Sequence, residues 1–419
     1  MTAPAISPNT LGIDFGTSNS AAGIPVGGRP WLVEMEPGET TLPTAVFFEP
    51  KRPMRIGRAA TRALINGDEG RFMRALKSLL GTPLLREERR INGETTDFIR
   101  IIARFLAEVK SRAEAATHQT FTHALSGRPV HFHSNDPARD AQAEIDLRDC
   151  YLAAGFEDVK FLYEPEAAVR SAAPSAGLGL IVDIGGGTSD FTLFEQDSAG
   201  ETKILSSHGV RLGGTDFDRQ ISIEHVMPLL GRGSQIRNAF GSETLPAPNR
   251  LFNDLATWQM IQFLYAADSR RAARELAKYA VEPDKLNRLV EVLQDELGHD
   301  LAFAVERGKI QANGTDAPDP RIDLRILQRG LAAPLSPAQM QATLDPMMHQ
   351  ISQSAVETLA RADITPERID RLVMVGGSSL LSSVETTLQQ HCPRAQIENR
   401  NAMTAVADGL ALAAPEAFA

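Results

Sequence analysis

One unit occurs twice in this chain and constrains its fold more than any other feature. An apolar strand ends in aspartate, passes through a glycine-bearing polar turn and resumes as a second strand. The first copy reads Ile13-Asp14-Phe15-Gly16-Thr17-Ser18-Asn19, the second Val182-Asp183-Ile184-Gly185-Gly186-Gly187-Thr188-Ser189-Asp190. Asp14 and Asp183 stand 169 positions apart, a period too long for a solenoid and suited to two related lobes. In the first copy, Thr10–Phe15, Ser20–Val26 and Arg29–Met35 read as strands, with Gly27-Gly28 as a hairpin turn. Two successive antiparallel hairpins make a meander rather than a βαβ unit.

Helical patterns fill the space between and after the copies. Phe72, Leu76, Leu79 and Leu80 predict a helix within Gly70–Leu80, and Asp97–Thr117 carries Phe98, Ile101, Ile102, Phe105, Leu106 and Val109 at helical spacing. Asp136-Pro137 opens a helix towards Ala154. Glu164-Pro165-Glu166 opens a small-residue helix over Ala167–Ala173. Two long helices are predicted over Asn249–Ala280 and Pro283–Gln311, a loop over Asn313–Pro320 and a helix from Ser336-Pro337 to about Arg361. A buried strand, Ile369–Val375, leads through Gly376-Gly377-Ser378-Ser379 into a helix over Leu380–Gln390, and Thr404–Ala414 closes the chain as an alanine-rich helix.

Composition excludes several classes. No apolar run is long enough to span a bilayer, and the first ten residues hold neither a basic cluster nor an apolar core, so no membrane segment or secretory signal is expected. Two cysteines, Cys150 and Cys392, cannot build a disulfide framework or a cysteine zinc site, and a reducing cytoplasm is the simplest compartment. A net charge of −10 argues against a nucleic-acid binder. Within it, residues 51–90 hold eleven basic and four acidic side chains, which reads first as a solvated arginine-rich face and second as a partner surface.

Asp14 and Asp183 carry the chemistry. A carboxylate at the end of an apolar strand is costly to bury unless a cation or hydrogen bonds compensate it. Two converging carboxylates suit a hydrated Mg²⁺, which keeps waters and takes few protein ligands beside phosphates. The glycines let backbone N–H groups close on phosphate oxygens, and Thr17, Ser18, Asn19 and Thr188 add further donors. Gly376-Gly377 is a third place for backbone to approach an anionic or flat ligand. Lys77 reads as a surface lysine and Glu164 as a helix cap on sequence grounds alone. His131 and His133 flank Phe132 in a strand-like run, with no third ligand to make a metal site. No Walker P-loop or nucleophile elbow is present.

These motifs resemble those of the DnaK-type chaperones, the 70-kilodalton heat-shock family among the actin-like ATPases. Leu11–Ser20 resembles its first phosphate motif and Ile181–Asp190 its second. Tyr163-Glu-Pro-Glu-Ala-Ala168 is similar to its first connecting helix, Leu212–Asp218 to its Leu-Gly-Gly-Glu-Asp-Phe-Asp stretch, Leu372–Ser379 to its adenosine motif, and Asn401–Ala411 to its second connecting helix. The motifs keep the family order across residues 11–412, with about 219–335 least alike.

The resemblance implies an α/β chain with a duplicated, ribonuclease H-like ATPase fold and two lobes around a nucleotide cleft. Lobe I would be residues 1–172, with an inner part (1–44, 121–172 and the C-terminal 398–419) and an outer part (45–120). Lobe II would be residues 173–397, with an inner part (173–212 and 336–397) and a helical outer part (213–335). ATP or ADP would bind with Mg²⁺ held through water by Asp14 and Asp183. Lys77, Glu164 and Asp183 would be catalytic. Gly16, Thr17, Ser18, Asn19, Gly185, Gly186, Gly187, Thr188, Gly213, Gly214, Glu306, Lys309, Gly376, Gly377 and Ser378 would line the nucleotide, with Asp190 as the family's following aspartate. Implied partners are client proteins or co-chaperones, without nucleic acid or membrane, in the cytoplasm.

The wording departs from the family at Leu380 and Ile310, where arginines are usual, at Asn313, usually serine, and at Met403, usually aspartate. The changes at Leu380, Ile310 and Asn313 bear on adenine binding. The chain ends at Ala419, where the family continues into a linker, a β-sandwich peptide-binding domain and a lid, so a short, YegD-like form without peptide binding by the usual mechanism is expected. The expected activity is slow ATP hydrolysis with nucleotide-driven lobe closure, as a chaperone-like protein assisting folding or assembly. The alternatives are a nucleotide-gated scaffold with little turnover, and a filament former or sugar kinase sharing the fold.

Overall fold

The computed structural model describes residues 9–133, 136–171, 175–237, 243–314, 318–399 and 403–418. Ala172 and Ala173 of the predicted small-residue helix, part of the Asn313–Pro320 loop, and Asn401 and Ala402 lie outside them. The chain forms two compact units. One comprises Met1–Arg211, Gln353–Leu380 and Leu388–Ala419, the other Leu212–Ser352 and Leu381–Thr387.

The first unit holds two sheets that repeat one topology. In one, Thr10–Phe15 pairs antiparallel with Asn19–Val26, which pairs with Arg29–Leu32; on its other side Thr10–Phe15 runs parallel to His123–Arg128, itself parallel to Asp158–Tyr163. In the other, Gly177–Ile184 pairs antiparallel with Ser189–Gln196, then Thr202–Val210, and runs parallel to Arg371–Val375 and beyond it Gln396–Glu398. The meander is confirmed, and so is the duplication. Burial repeats as well: Asp14 and Asp183 are half-buried, Asn19 and Thr188 exposed, Ser20 and Ser189 buried.

The central strands are covered on both faces, which is why they read as continuous apolar runs. Leu11, Ile13 and Phe15 join Phe105, Leu106 and Leu147 in one core. Ile181, Phe194 and Val373 join Ala167, Val406 and Leu410 in another. Small residues bring backbones close in the second core. A Cβ on Gly12 would sit 2.6 Å from the Leu410 carbonyl carbon, and one on Gly409 would overlap the Ala167 carbonyl oxygen. Helices Glu164–Ser171 and Ala405–Ala413 therefore cross with almost no side chain between them.

Helix Phe98–Thr117 is capped by Asp97, whose side chain accepts from Arg100 N at 2.8 Å, and buries the predicted apolar stripe. Helix Pro137–Ala153 starts on an Asp136 cap with proline in its first turn. It carries Cys150, which like Cys392 is a free thiol in the core.

The structure corrects four expectations. Gly70–Leu80 is not a helix: Arg71–Arg74 is a strand paired with Ala45–Phe48, and Leu76–Leu79 is a 3-10 turn entered through Ala75 in the left-handed region. The apolar spacing fits a helix, but pairing with a strand some 25 residues earlier in the chain wins. Asn249–Ala280 breaks into Arg250–Ala256, a 3-10 stretch Trp258–Tyr265 and Ala267–Tyr279. Pro283–Gln311 breaks into Pro283–Gln294 and Gly298–Asn313, with Glu296 left-handed at the join. His131–His133 lies beyond the strand end at Arg128, outside any strand.

The second unit is mostly helical, with Gly214–Ile221, Gly298–Asn313 and the start of Pro337–Ala360 among its elements, and two short hairpins.

Candidate nucleotide site

Within the first unit the two strand–turn–strand copies bring their turns together. A Cβ on Gly186 would lie 2.6 Å from Ser18 Oγ, so the second turn packs on the first with nothing to spare. The Gly185 N–H donates to Thr188 O at 3.0 Å and closes the second turn. The third glycine element arrives beside them. Gly376, with φ of +79°, places its Cα where a Cβ would be 2.5 Å from Ile184 O and 2.8 Å from Asp183 Oδ1. Only glycine combines that dihedral with that approach.

A cluster of charge sits at the ends of these strands. Lys77 Nζ lies 2.5 Å from Glu164 Oε1, with both side chains largely buried. Glu164 reaches this point because strand Asp158–Tyr163 passes into helix Glu164–Ser171 without a loop. Gly127 also leaves room: its Cβ would be 3.2 Å from Glu164 Cγ. Asp183 and Asp190 are directly opposed across their hairpin. Gly209, facing Asp190, has space only for that carboxylate where a Cβ would otherwise be.

Four carboxylates thus surround one ammonium. Burial pushes Asp14 up to about 7, helped by the Glu164 charge and opposed by Lys77. Burial, then Glu164, raises Asp190 to about 7, opposed by its hydrogen bond to Thr188 and by Lys77. Asp183 is held well above the ordinary carboxylate value by burial and by Glu164, Asp190 and Asp14. Burial disfavours the Lys77 ammonium, but Glu164, Asp14 and Asp183 outweigh it, and its pKa ends above normal. The cluster carries more negative charge than one lysine offsets, which is the electrostatic condition for a bound cation. Among the described residues no three His, Cys, Asp or Glu side chains stand close enough to chelate a metal directly. Two aspartates beside glycine turns are the kind of donor set that suits an ion held by few carboxylates through water and phosphate, such as Mg²⁺.

Sequence reading named Asp14, Lys77, Glu164, Asp183, Gly16–Asn19, Gly185–Thr188 and Gly376–Ser378, all of which fall in this unit. Asp190, named by the resemblance as the following aspartate, belongs with them, directly opposite Asp183 in the hairpin register. The other named residues belong to the second unit. Gly213 and Gly214 are buried at the start of helix Gly214–Ile221, where the Gly213 N–H already donates to Asp216 Oδ2 at 3.0 Å. Glu306 is exposed. Lys309 is buried with its Nζ 2.8 Å from Asp218 Oδ1, a partner sequence reading missed. Leu380, Ile310 and Met403 are 40%, 62% and 51% exposed, a high figure for apolar side chains.

Each of the two histidines has a protein partner among the described residues. His133 Nε2 bonds Leu80 O at 2.8 Å, and His131 Nδ1 lies 3.8 Å from Asp140. A cavity of about 520 Å³ lined by these and by Arg128, Glu144 and Tyr163 includes none of the clustered carboxylates. Part of the basic stretch is paired with carboxylates, most of them from outside it. Arg52 and Arg55 pair with Glu49, Arg55 also with Asp68, Arg58 with Glu36 and Glu39, and Arg86 with Asp146 and Asp149.

Two sheets of one topology, each delivering an aspartate and a glycine turn to one point, define an α/β chain of the actin-like ATPase fold. The family model described as Hsp70 protein matches residues 10–89, 85–239 and 274–415, and the chain belongs to the Hsp70 family. It is 26% identical over 413 residues to the chaperone protein DnaK of Endomicrobium trichonymphae, a match covering 96% of this chain and 57% of that protein. The chain therefore spans little more than half the length of that relative. No helix among the described residues is long and apolar enough to cross a membrane.

Proposed function

We propose that the chain binds Mg-ATP and hydrolyses it slowly, as a chaperone-like protein whose lobes close on the nucleotide. The observation that supports this most is the Lys77–Glu164 pair set among Asp14, Asp183 and Asp190 beside two apposed glycine turns. Backbone N–H groups of Gly16–Asn19 and Gly185–Thr188 would hold phosphate oxygens, with Thr17, Ser18 and Thr188 hydroxyls adding donors. Asp14 and Asp183 would hold Mg²⁺ through water. When bound, the ion offsets phosphate charge.

Phosphoryl transfer needs alignment and charge stabilisation more than covalent help from the protein. Lys77, kept protonated by its carboxylates, meets the charge that develops on the transferred phosphoryl group. Glu164 fixes the Lys77 ammonium, and Glu164 or Asp183 accepts a hydrogen bond from the attacking water and aims it. Glu306 and Lys309 are assigned to the sugar and base, and Gly213 and Gly214 to the rest of the nucleotide, by resemblance alone. Client proteins or co-chaperones are the kind of partner proposed.

The test is single-turnover hydrolysis of Mg-ATP by wild type beside Lys77→Ala. Hydrolysis by wild type and binding without hydrolysis by the variant is the expected result. A second reading is favoured by the exposed Leu380 and Ile310: a nucleotide-gated binding protein with little turnover. It predicts that ATP raises Tm in both proteins while neither hydrolyses it.

A further inference from the structure

Lys77 is buried, yet its own segment is only a short 3-10 turn, which is a weak scaffold for a reactive side chain. What holds that segment comes from elsewhere. Gly81, at φ of +73°, donates its N–H to Asp146 Oδ2 at 2.8 Å. Asp146 Oδ1 accepts from Arg86 at 2.6 Å and from Gln142 at 2.9 Å, so both carboxylate oxygens are engaged in a side chain only 2% exposed. Arg139 Nε donates to Gly81 O at 3.2 Å, and His133 Nε2 bonds Leu80 O at 2.8 Å. With the bond from Arg86 to Asp149 Oδ2 at 2.8 Å, five bonds therefore tie residues 80–86 to helix Pro137–Ala153 and the loop before it, within a few residues of Lys77. Arg86 belongs to the basic stretch that no docking role has absorbed.

We propose that Asp146 and Arg86 form a clamp that positions Lys77 against Glu164. This rests on the ATPase reading for its catalytic consequence, and on the geometry alone for its mechanical one. Asp146 and Arg86 are positioning residues: they fix the Gly81 corner, and the corner fixes the turn carrying Lys77. The clamp uses one buried carboxylate with both oxygens engaged, so removing Arg86 leaves a buried charge short of its cation and loosens the corner.

The experiment uses the full chain with Arg86→Ala, Arg86→Lys and Asp146→Asn. Arg86 is half exposed, so its variants keep the fold even if Asp146→Asn does not. Two readouts are taken. Protection of Lys77 is followed by acetic anhydride labelling and mass spectrometry, with hydrogen exchange of residues 76–86. Single-turnover hydrolysis and ATP affinity are measured in parallel. Expected in Arg86→Ala is loss of Lys77 protection and a fall in turnover of about tenfold to a hundredfold at unchanged ATP affinity, with partial recovery of both in Arg86→Lys. Unchanged Lys77 protection overturns the clamp whatever the turnover. Lost protection with unchanged turnover overturns the positioning role. If wild type does not hydrolyse ATP, the ATPase reading has failed by itself, and Lys77 protection alone decides the clamp.

Discussion

Replacing Asp14 by asparagine should make the nucleotide-free protein more stable, and increasingly so as pH rises. Asp14 has a folded pKa of about 7 against an ordinary 3.8. A raised carboxylate pKa means the folded state holds a proton that the unfolded state releases. The stability this group contributes is full below about pH 4 and is lost as pH climbs through about 7. Each pH unit between the unfolded and folded values is worth about 1.36 kcal/mol, so the whole loss is about 4 kcal/mol, and the partly accessible edge of Asp14 reduces it to a range of about 2–4. Asparagine carries the shape without the charge. The variant should therefore gain only about 1 kcal/mol near pH 5 and about 2–4 kcal/mol near pH 8. Urea unfolding of both proteins across that range gives the difference directly. Distant titrating groups, including His208 and His225 with their lowered pKa values, cancel in the comparison, whereas the pKa values of Asp183 and Lys77, both raised in part by the Asp14 charge, fall with its loss. Saturating Mg-ATP should raise the stability of wild type and not of the variant. Parallel stability curves for the two proteins would refute the argument that Asp14 is a desolvated carboxylate awaiting a cation.

Gly409→Ala places a Cβ on the Ala167 carbonyl oxygen and should cost about 3 kcal/mol or more in urea unfolding; a loss under about 1 kcal/mol would show that the two helices part easily. Gly376→Ala drives a Cβ within 2.8 Å of Asp183 Oδ1 at a φ of +79°, and ATP turnover should fall at least about tenfold, with normal turnover counting against Asp183 as a positioned group. Ala75→Gly relieves a left-handed alanine at φ of 57° and should stabilise by about 0.5–1 kcal/mol, read from the denaturation midpoint.

The duplicated hairpins, the capped helices at Phe98 and Pro137 and the turns of the site were legible because local chemistry and tertiary demand agree there. Asp14 and Asp183 end apolar strands beside glycines, and the structure uses both facts. The setting of Lys77 was not legible because its surroundings are decided at long range. The strand Arg71–Arg74 exists because Ala45–Phe48 offers it an edge, and the four apolar residues that suggest a helix are buried (Leu76, Leu80) or half-buried (Phe72, Leu79) in strand and turn instead. Asp146 leaves no trace in sequence, since a buried aspartate on a helix looks like a surface one until its three donors arrive from sixty-odd residues away and from its own helix. The long helical patterns after Asn249 fracture because apolar spacing records which face is buried and says little about where a helix stops. The charge of residues 51–90 is legible as a count, but its partners Glu36, Glu39, Asp146 and Asp149 lie outside that window.

The two thiols give this chain a built-in clock. Cys150 and Cys392 are 0% and 2% exposed, and burial pushes the Cys150 thiol far up and Cys392 up to about 11. Neither reacts as a thiolate in the folded state, so a thiol reagent must wait for the chain to open. Both cysteines lie in the unit that holds the two sheets, and the other unit has none. Timed alkylation of the unaltered protein therefore counts the openings of that unit, and the slowing of that count on adding a ligand reports occupancy there without a dye, a tag or a mutation.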